Sequence, residues 1–201
     1  MRLSTLIALV LLLWQAAAFS FWYEKPKEFM APSSNGRYLF HVVPRIPVAY
    51  RHGVEHAEGS DGIPSIYGCT EVCYGTLFSV QNGHCTPVWR GRLANPVSPN
   101  EAIPADDGSA VVTIGNWAKE GDEEFLIVVY GKDGALLGTF KLEDLYTAEE
   151  LATLRSPETG RLRWEGKRYF DVKKHLFIME LLNGHLFRID LRTGKIVPAT
   201  E

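Results

Sequence analysis

Residues 104–145, PADDGSAVVTIGNWAKEGDEEFLIVVYGKDGALLGTFKLEDL, alternate turn pairs with apolar runs of strand length, and that alternation points to antiparallel sheet. Asp107-Gly108 feeds the β-branched run at 110–114, which has strand composition. After Asn116-Trp117 and a charged loop at 119–124 comes 125–130, whose continuous apolar character suits a strand buried on both faces. Lys132-Asp133-Gly134 separates it from a third run at 135–141. Asp-Gly between two apolar runs marks a hairpin, because glycine accepts the positive φ of a tight turn without steric penalty.

The same layout recurs on either side. Ser34-Asn35-Gly36 opens an apolar run at 37–43, which Pro44 and Pro47 end, since proline cannot donate to a ladder. A polar, Gly-rich insertion follows at 49–65. Sheet resumes at 74–80 and turns back at Asn82-Gly83 through 84–90, where Pro87 signals an edge strand or a bulge. Near the C-terminus, Glu165-Gly166, Asn183-Gly184 and Thr193-Gly194 punctuate runs at 169–172, 176–182 and 185–191. The last of these alternates cleanly from Leu186 to Leu191 and predicts one wet face. Thr147-Ala148-Glu149-Glu150 reads as a capping box, with Tyr146 and Leu151 as its hydrophobic staple, and predicts one short helix at 148–154. The expected fold is all-β: three antiparallel sheet units at 33–93, 104–145 and 162–198 with one short helix, in a single β-rich domain at 33–201.

A Gly-containing turn that opens an apolar strand, followed by a hairpin, resembles the blades of β-propellers of the WD-repeat and related exported types. Ser34-Asn35-Gly36-Arg37-Tyr38-Leu39 and Ala105-Asp106-Asp107-Gly108 carry that resemblance, while the Trp-Asp dipeptide of WD repeats is absent. The run from Asp106 through Asn116-Trp117 to Leu142-Glu143-Asp144-Leu145 also resembles a group of uncharacterised exported bacterial proteins. That likeness implies location and fold and carries no activity. Three units fall short of the roughly four to eight blades of a closed ring, so the resemblance implies a partial propeller with covered edges. A six-unit homodimer is the alternative to a monomer, because two copies would complete the ring.

Location is written at the N-terminus. Arg2, the apolar run at 6–14 and Ala16-Ala17-Ala18 have the layout of a secretory signal peptide, 1–18, with the apolar run shorter than the roughly 20 residues of a spanning helix. A secreted or periplasmic chain is expected, not membrane-spanning after cleavage. Residues 19–32 mix aromatics with charge and Pro and read as an N-terminal arm that packs Phe21, Trp22 and Tyr23 on the body. The formal net charge of −3, which becomes −4 without the leader because that segment holds Arg2 and no acid, argues against nucleic acid as a partner.

Chemistry is bounded mainly by what the chain lacks. It has no Gly-x-Ser-x-Gly elbow, no phosphate-binding glycine loop and no His-Glu-x-x-His pair. His52, His56, Cys69 and Cys73 make a candidate tetrahedral zinc set, although Gly53 disfavours the helix that would bring the two histidines together. Three cysteines in an exported chain point first to a disulfide with one thiol left over. An Asn82-Gly83 turn sets Cys85 opposite Val80, which disfavours a Cys73–Cys85 bridge, and Cys69 with Cys85 is the pairing favoured here. Asp106 and Asp107 fit a turn better than a calcium or acid–base site, because their side chains bond the local backbone. Trp89, Trp117 and Trp164 recur near strand ends and are candidate ligand-binding aromatics, with core packing the competing role. The expected function is a non-catalytic binding or protein-interaction module with no cofactor and a protein or envelope ligand. The alternative is a metal-dependent or Cys/His hydrolase centred on the 52–73 loop.

Overall fold

A computed structural model of the chain describes residues 26–45, 72–115, 125–154 and 164–198. Strand by strand, these residues build three four-stranded antiparallel sheets, each a simple meander in sequence order. The first contains β1 (Phe29–Pro32), β2 (Tyr38–Val43), β3 (Tyr74–Gln81) and β4 (His84–Arg92); the second, β5 (Glu101–Pro104), β6 (Ala110–Ile114), β7 (Ile127–Gly131) and β8 (Leu136–Phe140); the third, β9 (Glu165–Asp171), β10 (Leu176–Leu181), β11 (Leu186–Asp190) and β12 (Lys195–Ile196). The all-β class and its three sheet units are therefore those expected from the turn pattern.

Two of the sheets start one strand earlier than the sequence indicates. Phe29–Pro32, read as the end of an arm, pairs along β2 from Phe29↔Val42 to Pro32↔Leu39, and Glu101–Pro104 pairs with β6 in the same way. Both strands are four residues long and end in proline, which a sheet accepts at an edge, so neither has the β-branched signature of its neighbour. In the third sheet the alternation at 186–191 appears as predicted, with Phe187 and Ile189 buried and Leu186 exposed. The Asn82-Gly83 turn has φ of 50° and 78°, the positive pair of a type I′ hairpin, and it places Cys85 opposite Val80. Pro87 stands on edge strand β4 beside a register shift opposite Leu77 and Phe78, so both meanings of that proline apply.

Two helices join the second and third sheets. The one-turn α1 (Leu142–Leu145), which the sequence pattern did not reveal, starts where the Asp144 carboxylate accepts the Lys141 N–H at 2.8 Å. At α2 (Ala148–Leu154) the predicted capping box is formed: Glu150 accepts the Thr147 N–H at 2.8 Å and Thr147 Oγ1 accepts the Glu150 N–H at 3.3 Å. Tyr146 between them donates its hydroxyl to the Trp164 carbonyl and accepts the Leu182 N–H, which ties this connection to the third sheet.

The second sheet lies between the other two, and its central strands β6 and β7 are buried on both faces. Along β6 and β7 successive side chains alternate between two cores: Val111, Val128 and Tyr130 join Phe40, Val42, Leu77 and Trp89 of the first sheet, while Ala110, Val112, Ile114, Ile127 and Val129 join Phe177, Met179, Phe187 and Ile189 of the third. At the second junction Gly194, with φ of 65°, sits so close to β8 that a Cβ there would lie 2.2 Å from the Leu137 carbonyl oxygen. Gly36, with φ of 68°, has nothing within 4 Å of its Cβ position. We predict that Gly36→Ala lowers the unfolding free energy by about 1 kcal/mol, the strain of a left-handed residue alone, and Gly194→Ala by roughly 3 kcal/mol, the same strain plus the clash. Urea unfolding measures both, and equal losses would mean that the third sheet does not rest on β8.

Candidate functional site

The described residues contain a cleft of about 540 Å³ where the first sheet, the second sheet and the segment linking them meet. It exists because that linker, residues 93–100, has to cross from the end of β4 to the start of β5 and is bonded to both sheets on the way. Leu93 N–H donates to the Cys73 carbonyl at 2.8 Å, Arg45 N–H to Val97 at 2.8 Å, and Asn100 N–H to Ile114 at 2.7 Å. The linker is thus fastened as a rigid wall.

The floor of the cleft is buried and its polar atoms bond one another. Tyr130, 1% exposed at the end of β7, accepts the Ala94 N–H on its hydroxyl at 2.8 Å and also bonds the Thr113 side chain. Thr113, the one polar residue within β6, donates its hydroxyl to Asn95 Oδ1 at 3.0 Å, and Asn95 Nδ2 donates to the Phe125 carbonyl at 3.3 Å. This chain of bonds explains how a threonine can stand in a strand whose other members are all buried apolar residues. Burial pushes the Tyr130 hydroxyl well above the ordinary tyrosine range, so it stays protonated. The walls mix polar and apolar surface, and their large apolar side chains are Leu93, buried, Phe125, half-buried, and Leu136, exposed at the mouth. Arg45 and Arg92, both exposed, are the charged residues of the lining.

Cys73 is the nucleophile-type side chain in this lining, and its surroundings keep it inert. It is 2% exposed and packs in the same core as Phe40, Leu77 and Trp89. Burial raises its pKa from 9.0 to about 12, against a smaller lowering by a hydrogen bond with the Arg45 backbone. At neutral pH it is a thiol, and the thiolate is the nucleophilic form. Among the described residues the lining contains no histidine or carboxylate to accept its proton.

Of the residues singled out in the sequence, His52, His56, Cys69 and Trp117 lie outside the described residues. Among the described residues no cluster of His, Cys, Asp or Glu has the geometry to hold a metal ion. Cys85 is exposed on β4 and pairs with Val80, away from Cys73. Trp89 and Trp164 are buried at 8% and 1% exposure, and in different cores, so these two do not make one ligand-facing surface. Trp89 packs against Phe40, with ring centroids 5.4 Å apart, and Tyr130, at 6.1 Å, and is pressed by the turn at Gly134; its area is used to join two sheets. Asp107 accepts the Ser109 N–H at 3.0 Å, the local turn bond expected of it, whereas Asp106 accepts the Asn35 N–H at 2.9 Å and so links the opening turns of the first and second sheets. Sequence reasoning missed the cleft itself: Tyr130, Asn95 and Arg92 are separated along the chain and belong to no motif.

Two measurements check this description. In the reduced protein, a thiol reagent at pH 8 should modify Cys85 rapidly and Cys73 only at the rate of unfolding; equal rates would contradict the burial. Because the folded-state pKa of Cys73 is raised, its contribution to stability is present in full below pH 9.0 and is lost as pH rises towards about 12. Cys73→Ala should therefore flatten that part of the alkaline unfolding curve, as read by circular dichroism.

The chain matches no protein-family profile and no curated protein sequence.

Proposed function

We propose that this chain is an exported, non-catalytic binding module of propeller-like build, and that its ligand seats in the cleft between the first and second sheets. The observation that carries the reading is the cleft: an opening of about 540 Å³ with a hydrogen-bonded floor and walls of mixed apolar and polar surface, within the roughly 300–1,000 Å³ typical of ligand sites. Its nucleophile-type residue is a protonated thiol with no base beside it among the described residues, which favours binding over covalent chemistry there. Export rests on the leader-like pattern of residues 1–18, and a secreted or periplasmic location follows from it. Among the described residues no helix is long and apolar enough to cross a membrane.

Support for the propeller-type arrangement comes from how the sheets follow one another. They stack in sequence order, and their first strands are neighbours: β1 packs on β5, and Arg168 on β9 forms an ion pair with Glu101 on β5. The opening turns of the first two sheets are joined through Asn35 and Asp106. A ring of successive blades around the first strands has this order.

Binding of a neutral apolar probe tests the cleft. N-phenyl-1-naphthylamine should bind the full chain saturably with one site, and Leu136→Trp, which fills the mouth from an exposed position, should abolish that binding while leaving near-ultraviolet circular dichroism in the tyrosine and cysteine-flanking core unchanged apart from the added indole. Binding indifferent to Leu136→Trp, or no binding, would overturn the reading.

A further inference from the structure

We infer that the ligand of this cleft is an amphipathic anion, a molecule with an apolar body and one carboxylate, sulfonate or phosphate headgroup. The inference rests on the cleft being the binding site and adds the chemical class that it selects. It follows from which polar groups remain available once the internal bonds have been counted. On the floor, Asn95 uses its oxygen for Thr113 and its amide for Phe125, the Tyr130 hydroxyl bonds Ala94 and Thr113, and the Leu93 and Ala94 amides are held by Cys73 and Tyr130. A neutral polar ligand would lose its water there and find its candidate partners already bonded.

The charged side chains of the lining are those of Arg45 and Arg92. Neither forms an ion pair with a carboxylate among the described residues, and the lining itself contributes no Asp or Glu. A guanidinium offers five N–H donors and no acceptor, and it stays charged throughout the working pH range. Among the described residues the cleft therefore offers a charged ligand group donors and no carboxylate. Leu93, Phe125 and Leu136 supply the apolar contact, so a bare inorganic anion would leave most of the surface uncovered, whereas an anion with a ring or chain attached would meet both halves. Two exposed arginines contribute modestly, and together they amount to roughly a tenfold preference for the anion.

The test compares two probes that share one skeleton. N-phenyl-1-naphthylamine is neutral, and 1-anilinonaphthalene-8-sulfonate adds a single sulfonate. We expect the full chain to bind the sulfonate about tenfold more tightly than the neutral probe, with the gap narrowing as ionic strength rises. In Arg45→Gln/Arg92→Gln, a change at two exposed positions whose fold is checked by circular dichroism, the gap should close through weaker binding of the sulfonate. Equal affinities of the unaltered chain for the two probes would overturn the anion inference and leave the cleft standing as a binding site. A preference for the sulfonate that survives the double substitution would also overturn it, because the anion would then be held elsewhere. Binding of the neutral probe alone would likewise overturn the anion inference only, and failure of both probes to bind would remove the cleft reading and this inference with it.

Discussion

Everything in this molecule depends on the central strands of the second sheet, β6 and β7, having no wet face. Five consecutive residues in β6 and five in β7 are buried, and their side chains point alternately into two separate cores. A strand in that position cannot slip by one residue, because a slip would exchange the two sets of side chains and mismatch both cores at once. It also cannot accept an unsatisfied polar group. Thr113 is tolerated because Asn95, reaching in from the linker, accepts its hydroxyl hydrogen. The requirement to satisfy one buried threonine thus reaches 18 residues back along the chain and fixes the path of the linker.

The outer sheets are held to the middle one by large side chains meeting small ones. At the first junction Trp89 spreads over the turn at Gly134, where a Cβ would come within 2.7 Å of its ring; at the second, Gly194 lies against the Leu137 carbonyl. Both glycines already serve their own turns, and their lack of a side chain is used a second time in bringing sheets together. Burial of aromatic residues such as Trp89, Phe40, Phe177 and Phe187 supplies the matching apolar area, at about 1.5–3 kcal/mol for a fully buried large side chain. Polar links are fewer and directional. Asn35 and Asp106 join two turns through a pair of 2.9 Å bonds, and Arg168 meets Glu101 across first strands.

The cleft is a by-product of the same construction. The linker from β4 to β5 is pinned to both sheets by backbone bonds, and it stands off far enough to leave an opening over Tyr130 and Cys73. Because Tyr130 is at once a core residue beside Trp89 and the floor of the opening, the packing that stabilises the first junction also sets the shape of the site. The same burial that builds this core holds Cys73 as a thiol.

Much of this was legible in the sequence wherever local chemistry decides the outcome. Asn82-Gly83 specified a type I′ hairpin and so the register of Cys85; Thr147 and Glu150 specified the cap of α2; the unbroken apolar run from Phe125 to Tyr130 specified a strand buried on both faces. These signals work because they involve residues a few positions apart and conformations that few side chains allow. The four-residue strands at Phe29–Pro32 and Glu101–Pro104 escaped notice because their pairing comes from a neighbour and their own residues carry no β signature. Trp89 and Trp164 were equally readable as a binding surface or as core, and only the stacking of the sheets put them inside. The cleft was invisible for the same reason. Arg45, Cys73, Arg92, Asn95 and Tyr130 come from four strands or their ends and a linker, and their meeting depends on how whole sheets pack, which a one-dimensional pattern does not encode.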